Sequence, residues 1–96
     1  MYVRVVRFTD VTSARVDELL ARIEESDGPP EGVPTTGLQL VFDKSQGTAV
    51  VVQLFETEED MQAGARVFAA MDAAETPGTS ASVDMGELKV DLHVGA

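Results

Sequence analysis

Residues 47–74, GTAVVVQLFETEEDMQAGARVFAAMDAA, constrain the fold more than any other stretch of the chain. They predict a strand over Thr48–Phe55, because Val50, Val51 and Val52 suit a pleated, half-buried surface. A helix follows directly. Thr57 is its predicted N-cap, and Asp60 stands three residues on, as a shorter analogue of a capping box. Glu58, Glu59 and Asp60 set negative charge at the positive end of the helix dipole. Met61, Phe68 and Met71 then form one apolar stripe, with Ala65 beside it. A strand feeding a one-sided helix needs a sheet for that helix to lie on.

The other segments supply it. Tyr2–Thr9 alternates as a strand. Asp10–Ser13 signals a helix start, with Thr12 or Ser13 as N-cap. Val16, Leu19, Leu20 and Ile23 give the helix over Ala14–Glu25 an apolar stripe. Asp27–Gly37, with three of the four prolines, reads as a loop. Leu38–Phe42 is a strand, and Asp43–Gly47 a hairpin loop in which Gly47 takes the left-handed position. Glu75–Ala81 ends the second helix at a Pro-Gly pair. Ser82–Val94 reads as a long last strand. Leu88, Val90, Leu92 and Val94 alternate out of step with Val83 and Met85, which predicts a bulge near Gly86.

Strand, helix, strand, strand, helix, strand is the ferredoxin-like βαββαβ order. The fold class is therefore α+β, one domain over residues 1–96 with an antiparallel four-stranded sheet. Right-handed crossovers put both helices on one face. Choosing the more apolar side of each strand sends Val3, Val5, Leu38, Leu40, Phe42, Val50, Val52, Leu54, Leu88, Val90 and Leu92 beneath the helices. The opposite face then holds Tyr2, Arg4, Val6, Phe8, Gln39, Val41, Val51, Gln53, Phe55, Lys89, Asp91 and His93. That face carries too much apolar surface for water, which predicts a homodimer through the non-helix face, its sheets meeting or curling into a shared barrel.

Charge narrows the function. The chain has 17 acidic and 7 basic residues, a formal net charge of −10. That argues against nucleic acid and against anionic membrane surfaces. MYVRVVRF has no continuous apolar run of the signal-peptide kind, and no span-length segment exists. A soluble, cytoplasmic protein is expected. There is no cysteine, so disulfides and thiolate metal sites are excluded. A single His, with no HxH or HxxxH spacing, makes no transition-metal site. No P-loop and no nucleophile elbow is present.

DKSQGTAVVVQLFETEEDMQAG, together with MYVRVVRF and LKVDLHV, resembles the dimeric α/β-barrel proteins, especially the antibiotic-biosynthesis-monooxygenase-like domains. Such enzymes bind an aromatic polyketide, a quinol or haem between sheet and helices, and some oxidise it without metal or flavin. The haem-degrading branch relies on an Asn, a Trp and a His. This chain has no Asn or Trp, and its His lies in the last strand, so no catalytic residue is carried across. The resemblance implies a dimer binding a small apolar or aromatic molecule, with no cofactor. A cofactor-independent monooxygenase acting on an aromatic substrate, and a structural dimer with a filled pocket, are the alternatives.

Six residues are the ligand-binding candidates: Tyr2, Arg4, Phe8, Gln39, Gln53 and His93. Arg4 among Val and Phe suits bidentate capture of a carboxylate or phenolate, or else a salt bridge to Asp91, Glu87 or a partner chain. Gln39 and Gln53 orient a ligand carbonyl or bond to each other. His93 is a base, a ligand, or a solvated strand residue. Tyr2 is a phenolic donor or simple packing. Phe8 supplies an apolar wall.

Overall fold

The computed structural model describes residues 1–26, 33–70, 76–92 and 94–95. Most of the proline-rich loop, Met71 and His93 lie outside these residues. Among the described residues the elements are β1 (Tyr2–Thr9), α1 (Ser13–Ser26), β2 (Gly37–Asp43), β3 (Thr48–Phe55), α2 (Glu58–Ala69) and β4 (Thr79–Glu87). The strands form one antiparallel sheet in the order β2-β3-β1-β4. Both helices pack on one face, as the βαββαβ order predicts.

The helix starts are chemically explicit. Thr12 Oγ1 accepts from the Arg15 backbone N–H at 3.2 Å, so Thr12 caps α1. Thr57 Oγ1 accepts from Asp60 N–H at 3.1 Å, so the predicted cap of α2 forms. Gly47 ends the β2–β3 turn at φ +66°, where a side chain would be strained. Within that turn Asp43 accepts from the Ser45 hydroxyl at 2.7 Å and from Gln46 Nε2 at 2.7 Å.

The bonds from Ser45 and Gln46 hold the Asp43 carboxyl below its usual range. A carboxyl whose folded pKa is depressed adds stability above its unfolded pKa and loses it as pH falls through the folded value. Asp43→Asn is therefore expected to remove part of the stability lost on acidification below about pH 4. Urea midpoints of the two proteins should converge in that window and differ only slightly at neutral pH, because the turn is exposed.

The sheet's facing differs from the strand-by-strand expectation. Arg4 pairs with Gln53, Val6 with Val51 and Phe8 with Ala49. Leu38 pairs with Gln53, and Leu40 with Val51. Direct partners share a face. Val6, Phe8, Val11, Val16 and Ala49 form one core cluster beneath α1. Val33, Phe55 and Met61 form a second at α2, with Tyr2, Val67 and Phe68 against it. Tyr2, Arg4, Val6, Phe8, Val51, Gln53 and Phe55 thus lie under the helices, with Leu38, Leu40 and Phe42 as expected. Val3, Val5, Val50, Val52 and Leu54 face away, beside Gln39 and Val41.

The reason is that β1 and β3 are the central strands, and both their faces are apolar. Apolarity does not discriminate between the faces, whereas the turn between Asp43 and Thr48 does. It pairs those two residues, and so commits Leu40 to Val51 rather than to Val50 or Val52.

The last strand also differs. β4 covers Thr79–Glu87 and stops before Leu88. Its irregularity lies between Arg7 and Phe8 of β1, which pair with Ser82 and Ser80. Ala81 is the extra residue, and no bulge forms at Gly86. A strand lasts only as long as its neighbour: Tyr2, the first residue of β1, pairs with Glu87. Among the described residues no helix is long and apolar enough to cross a membrane.

Candidate functional site

A cavity of about 590 Å³ lies between the sheet and the helices. Its walls include Val6, Phe8, Leu40 and Val51 from the sheet, Leu19 and Ile23 from α1, and Phe68 from α2. Two of these, Leu19 and Ile23, belong to the predicted stripe of α1. Val16 of that stripe is buried in the core, while Leu20 remains 43% exposed. The helix therefore touches the sheet near its start and stands over a gap towards its end.

The lining also holds the hydroxyl residues Thr35, Thr76, Thr79 and Ser80, and one arginine–glutamine pair. Arg4 is 9% exposed and Gln53 only 2%. Arg4 Nη1 donates to Gln53 Oε1 at 3.1 Å. The guanidinium carbon stands 5.3 Å from the centroid of the Phe68 ring, a cation–π arrangement. Arg4 Nε is buried and has no hydrogen-bond partner. No carboxylate pairs with Arg4 among the described residues, although the chain has 17 acidic side chains. Burial pushes the Arg4 pKa down, because desolvation disfavours its charged form. An arginine still keeps its proton at neutral pH. The cavity thus has greasy walls and one fixed positive charge with a donor left over.

The frame around the pair is well tied. Thr35 Oγ1 lies 2.7 Å from the carbonyl oxygens of both Gly37 and Leu54, which pins the approach to β2 against β3. Arg15 Nη2 donates to the Thr76 carbonyl at 2.6 Å and so joins α1 to the segment that enters β4. Pro77 is buried there, and Gly78 crosses close to the backbone of Thr9.

Of the six sequence candidates, Arg4, Phe8 and Gln53 line the cavity. Tyr2 packs at the cluster of Val33, Phe55 and Met61 instead. Gln39 is exposed on the other face and pairs with Val52, so it makes no contact of the expected kind with Gln53. His93 lies outside the described residues. Arg4 bonds to Gln53 and not to Asp91 or Glu87; Glu87 pairs with Lys89 at 3.1 Å. The sequence pattern places Leu19 and Ile23 in the apolar stripe of α1 and Phe68 in that of α2, without marking them as site residues. Their role as cavity wall depends on the gap beneath the end of α1, which no local pattern encodes. Among the described residues no three His, Asp or Glu side chains converge as a metal site would require.

No protein-family model matches the chain, and no curated protein does. Solved structures do. A single-residue variant of MhuD, with two manganese protoporphyrin IX bound per active site, matches with a TM-score of 0.58 at 26% identity, over 100% of both chains. A candidate antibiotic biosynthesis monooxygenase from Deinococcus radiodurans matches with a TM-score of 0.58 at 11% identity, again over 100% of both. The haem degrader MhuD from Mycobacterium tuberculosis, with two haems in its active site, matches at 0.56 and 23% identity, over 99% of this chain and 100% of that one.

Proposed function

We propose that this chain, an antibiotic-biosynthesis-monooxygenase-like domain of the dimeric α/β-barrel superfamily, binds a planar, mainly apolar molecule carrying a carboxylate or phenolate, with the anion on Arg4. The observation that carries this is the buried Arg4 guanidinium, which has an unpartnered Nε and no acidic partner among the described residues. Leaving a charge so placed without a counter-ion is costly, and an anionic ligand would neutralise it. A cavity of about 590 Å³ is within the usual size for a small-molecule site. Gln53 holds the guanidinium in place, and Phe68 flanks it. The porphyrin-bound neighbours fit this class, since a porphyrin is planar and carries carboxylates. No described residue of the cavity offers haem iron a His or Cys ligand, so binding through the carboxylate edge is what these residues support.

The second part of the reading is a homodimer through the face turned away from the helices. Val3, Val5, Val50, Val52 and Leu54 on that face are only half-buried, and Val41 is 59% exposed. Arg7, Asp43 and Asp84 are the charged residues that strand register places there. A net charge of −10 therefore does not prevent two copies from meeting on it.

A pair of fluorescent probes tests the ligand reading. Anilinonaphthalene sulfonate is an aromatic anion, and N-phenyl-1-naphthylamine is a similar neutral molecule. Arg4→Met is expected to weaken the anion about 10- to 100-fold, the effect of removing one charge-assisted contact, and to change the neutral probe less than threefold. Equal weakening of both probes, or of neither, would reject Arg4 as the anion site. Metal-free protoporphyrin IX, titrated in the same way, reports whether the larger dicarboxylate fits.

A further inference from the structure

The hydroxyl residues that line the cavity are not equivalent. Thr35 Oγ1 lies 2.7 Å from the carbonyl oxygens of Gly37 and Leu54, and Thr76 Oγ1 donates to the Gly78 carbonyl at 2.9 Å. Both are engaged by backbone. Thr79 pairs with Thr9, which shares the parity of Arg7, so register turns its side chain to the face away from the helices. Ser80 pairs with Phe8, a core residue beneath α1. Its hydroxyl therefore stands on the cavity side, at the exposed rim.

This placement depends on the bulge in β4. From Tyr2 to Arg7 the partners of β1 follow an unbroken register, with Val83 opposite Val6 and Ser82 opposite Arg7. Continued, that register would set Ser80 opposite Thr9 and aim its hydroxyl away from the helices. The extra residue, Ala81, returns Ser80 to Phe8 instead. Bulges re-aim single side chains in this way and are frequent beside active sites. β4 is an edge strand, so the extra residue disturbs no second ladder.

Arg4 and Phe8 are separated along β1 by roughly 13 Å of extended chain. Between their levels the cavity wall is Val6, Val51 and Val83. The site thus has a cation at one end, an apolar middle and a hydroxyl at the other. We propose that Ser80 is a second anchor for the ligand, which is an elongated apolar anion with a hydroxyl or carbonyl at the end remote from its charge. This rests on the Arg4 reading and deepens it. A serine hydroxyl donates to a carbonyl and accepts from a hydroxyl, so either group is recognised. The Arg4 side chain and a hydrogen bond at each end take up part of the span, which leaves room for a biphenyl-sized body.

Two acids that differ by one hydroxyl test this by isothermal titration calorimetry: biphenyl-4-carboxylate and 4′-hydroxybiphenyl-4-carboxylate. The wild-type protein is expected to prefer the hydroxylated acid about 3- to 10-fold, the effect of one net hydrogen bond. Ser80→Ala should bring the two acids within about twofold of each other and leave the plain acid almost unchanged, while Ser80→Thr should keep the preference. Arg4→Met should weaken both acids about 10-fold or more and preserve their ratio. Circular dichroism of each variant checks that it is folded. Equal binding of the two acids to wild type, or a preference that survives Ser80→Ala, would overturn the second anchor and leave the Arg4 reading standing. Acids that bind Arg4→Met as tightly as wild type, or that bind neither protein at millimolar concentration, would overturn both.

Discussion

Replacing Arg4 and Gln53 together, as Arg4→Met with Gln53→Leu, is expected to make the ligand-free protein more stable by about 2 kcal/mol. For a domain of this size that raises the melting temperature by roughly 8–16 °C. The reasoning is about desolvation. Arg4 gives up hydration inside the fold and in return donates one hydrogen bond to Gln53 Oε1 and gains one aromatic face. Its Nε receives nothing. Aliphatic side chains of similar length keep the packing and remove the penalty. The single change Arg4→Met should gain much less, because it strands the buried Gln53 oxygen without a donor. A thermal melt of the four proteins in the cycle checks the ordering. A double variant that melts below wild type would mean that the pair serves the fold and not a ligand.

The second large effect lies at the entrance to β4. A Cβ on Gly78 would run into the Thr9 carbonyl oxygen and would stand 2.9 Å from Val11 Cγ2. The carbonyl belongs to the backbone of β1 and has no rotamer into which to retreat. Gly78→Ala is expected to cost about 3 kcal/mol, a large share of a small domain's stability. Gly64 makes an instructive comparison. A Cβ there meets the Phe55 ring at 2.7 Å, but a ring edge yields more readily than backbone. Alanine also favours the helix by about 1 kcal/mol. Gly64→Ala should therefore destabilise clearly less than Gly78→Ala. Urea denaturation of both variants reads the order directly, and the reverse order would contradict this account of the β1–β4 crossing.

Much of the architecture was legible because local chemistry encodes it. Thr57, Gly47 and the alternation of β2 each act within a few residues, and each behaves as its pattern predicts. The facing of β1 and β3 was not legible one strand at a time. Val3 and Val5 rival Val6 and Phe8, and Val50, Val52 and Leu54 rival Val51 and Phe55. Strands between two apolar layers lose the amphipathic signal. The information was present one level up, in the hairpin. Asp43 opposite Thr48 puts one-sided β2 in register with β3, and β3 with β1, which carries Arg4 and Gln53 to the helix side.

The end of the chain misled for a related reason. Residues 88–94 are a better strand by pattern than the polar TSASVDMGE that actually pairs. Pairing depends on a neighbour, and β1 has begun by Tyr2. Of the site, the cation was legible as a chemically odd residue in a valine-rich strand. Its isolation from acids, and the space before it, are properties of the packed fold.

The most direct test reads the donor itself. In the side-chain 15N–1H spectrum, the Arg4 Nε–H signal, assigned by its loss in Arg4→Lys, reports whether that proton is bonded. In the ligand-free protein it should sit at the position of an unbonded guanidinium. On addition of anilinonaphthalene sulfonate it should move downfield and exchange more slowly with water. An Arg4 Nε–H that is already bonded without ligand, or that ignores the anion while the probe binds, would contradict the account.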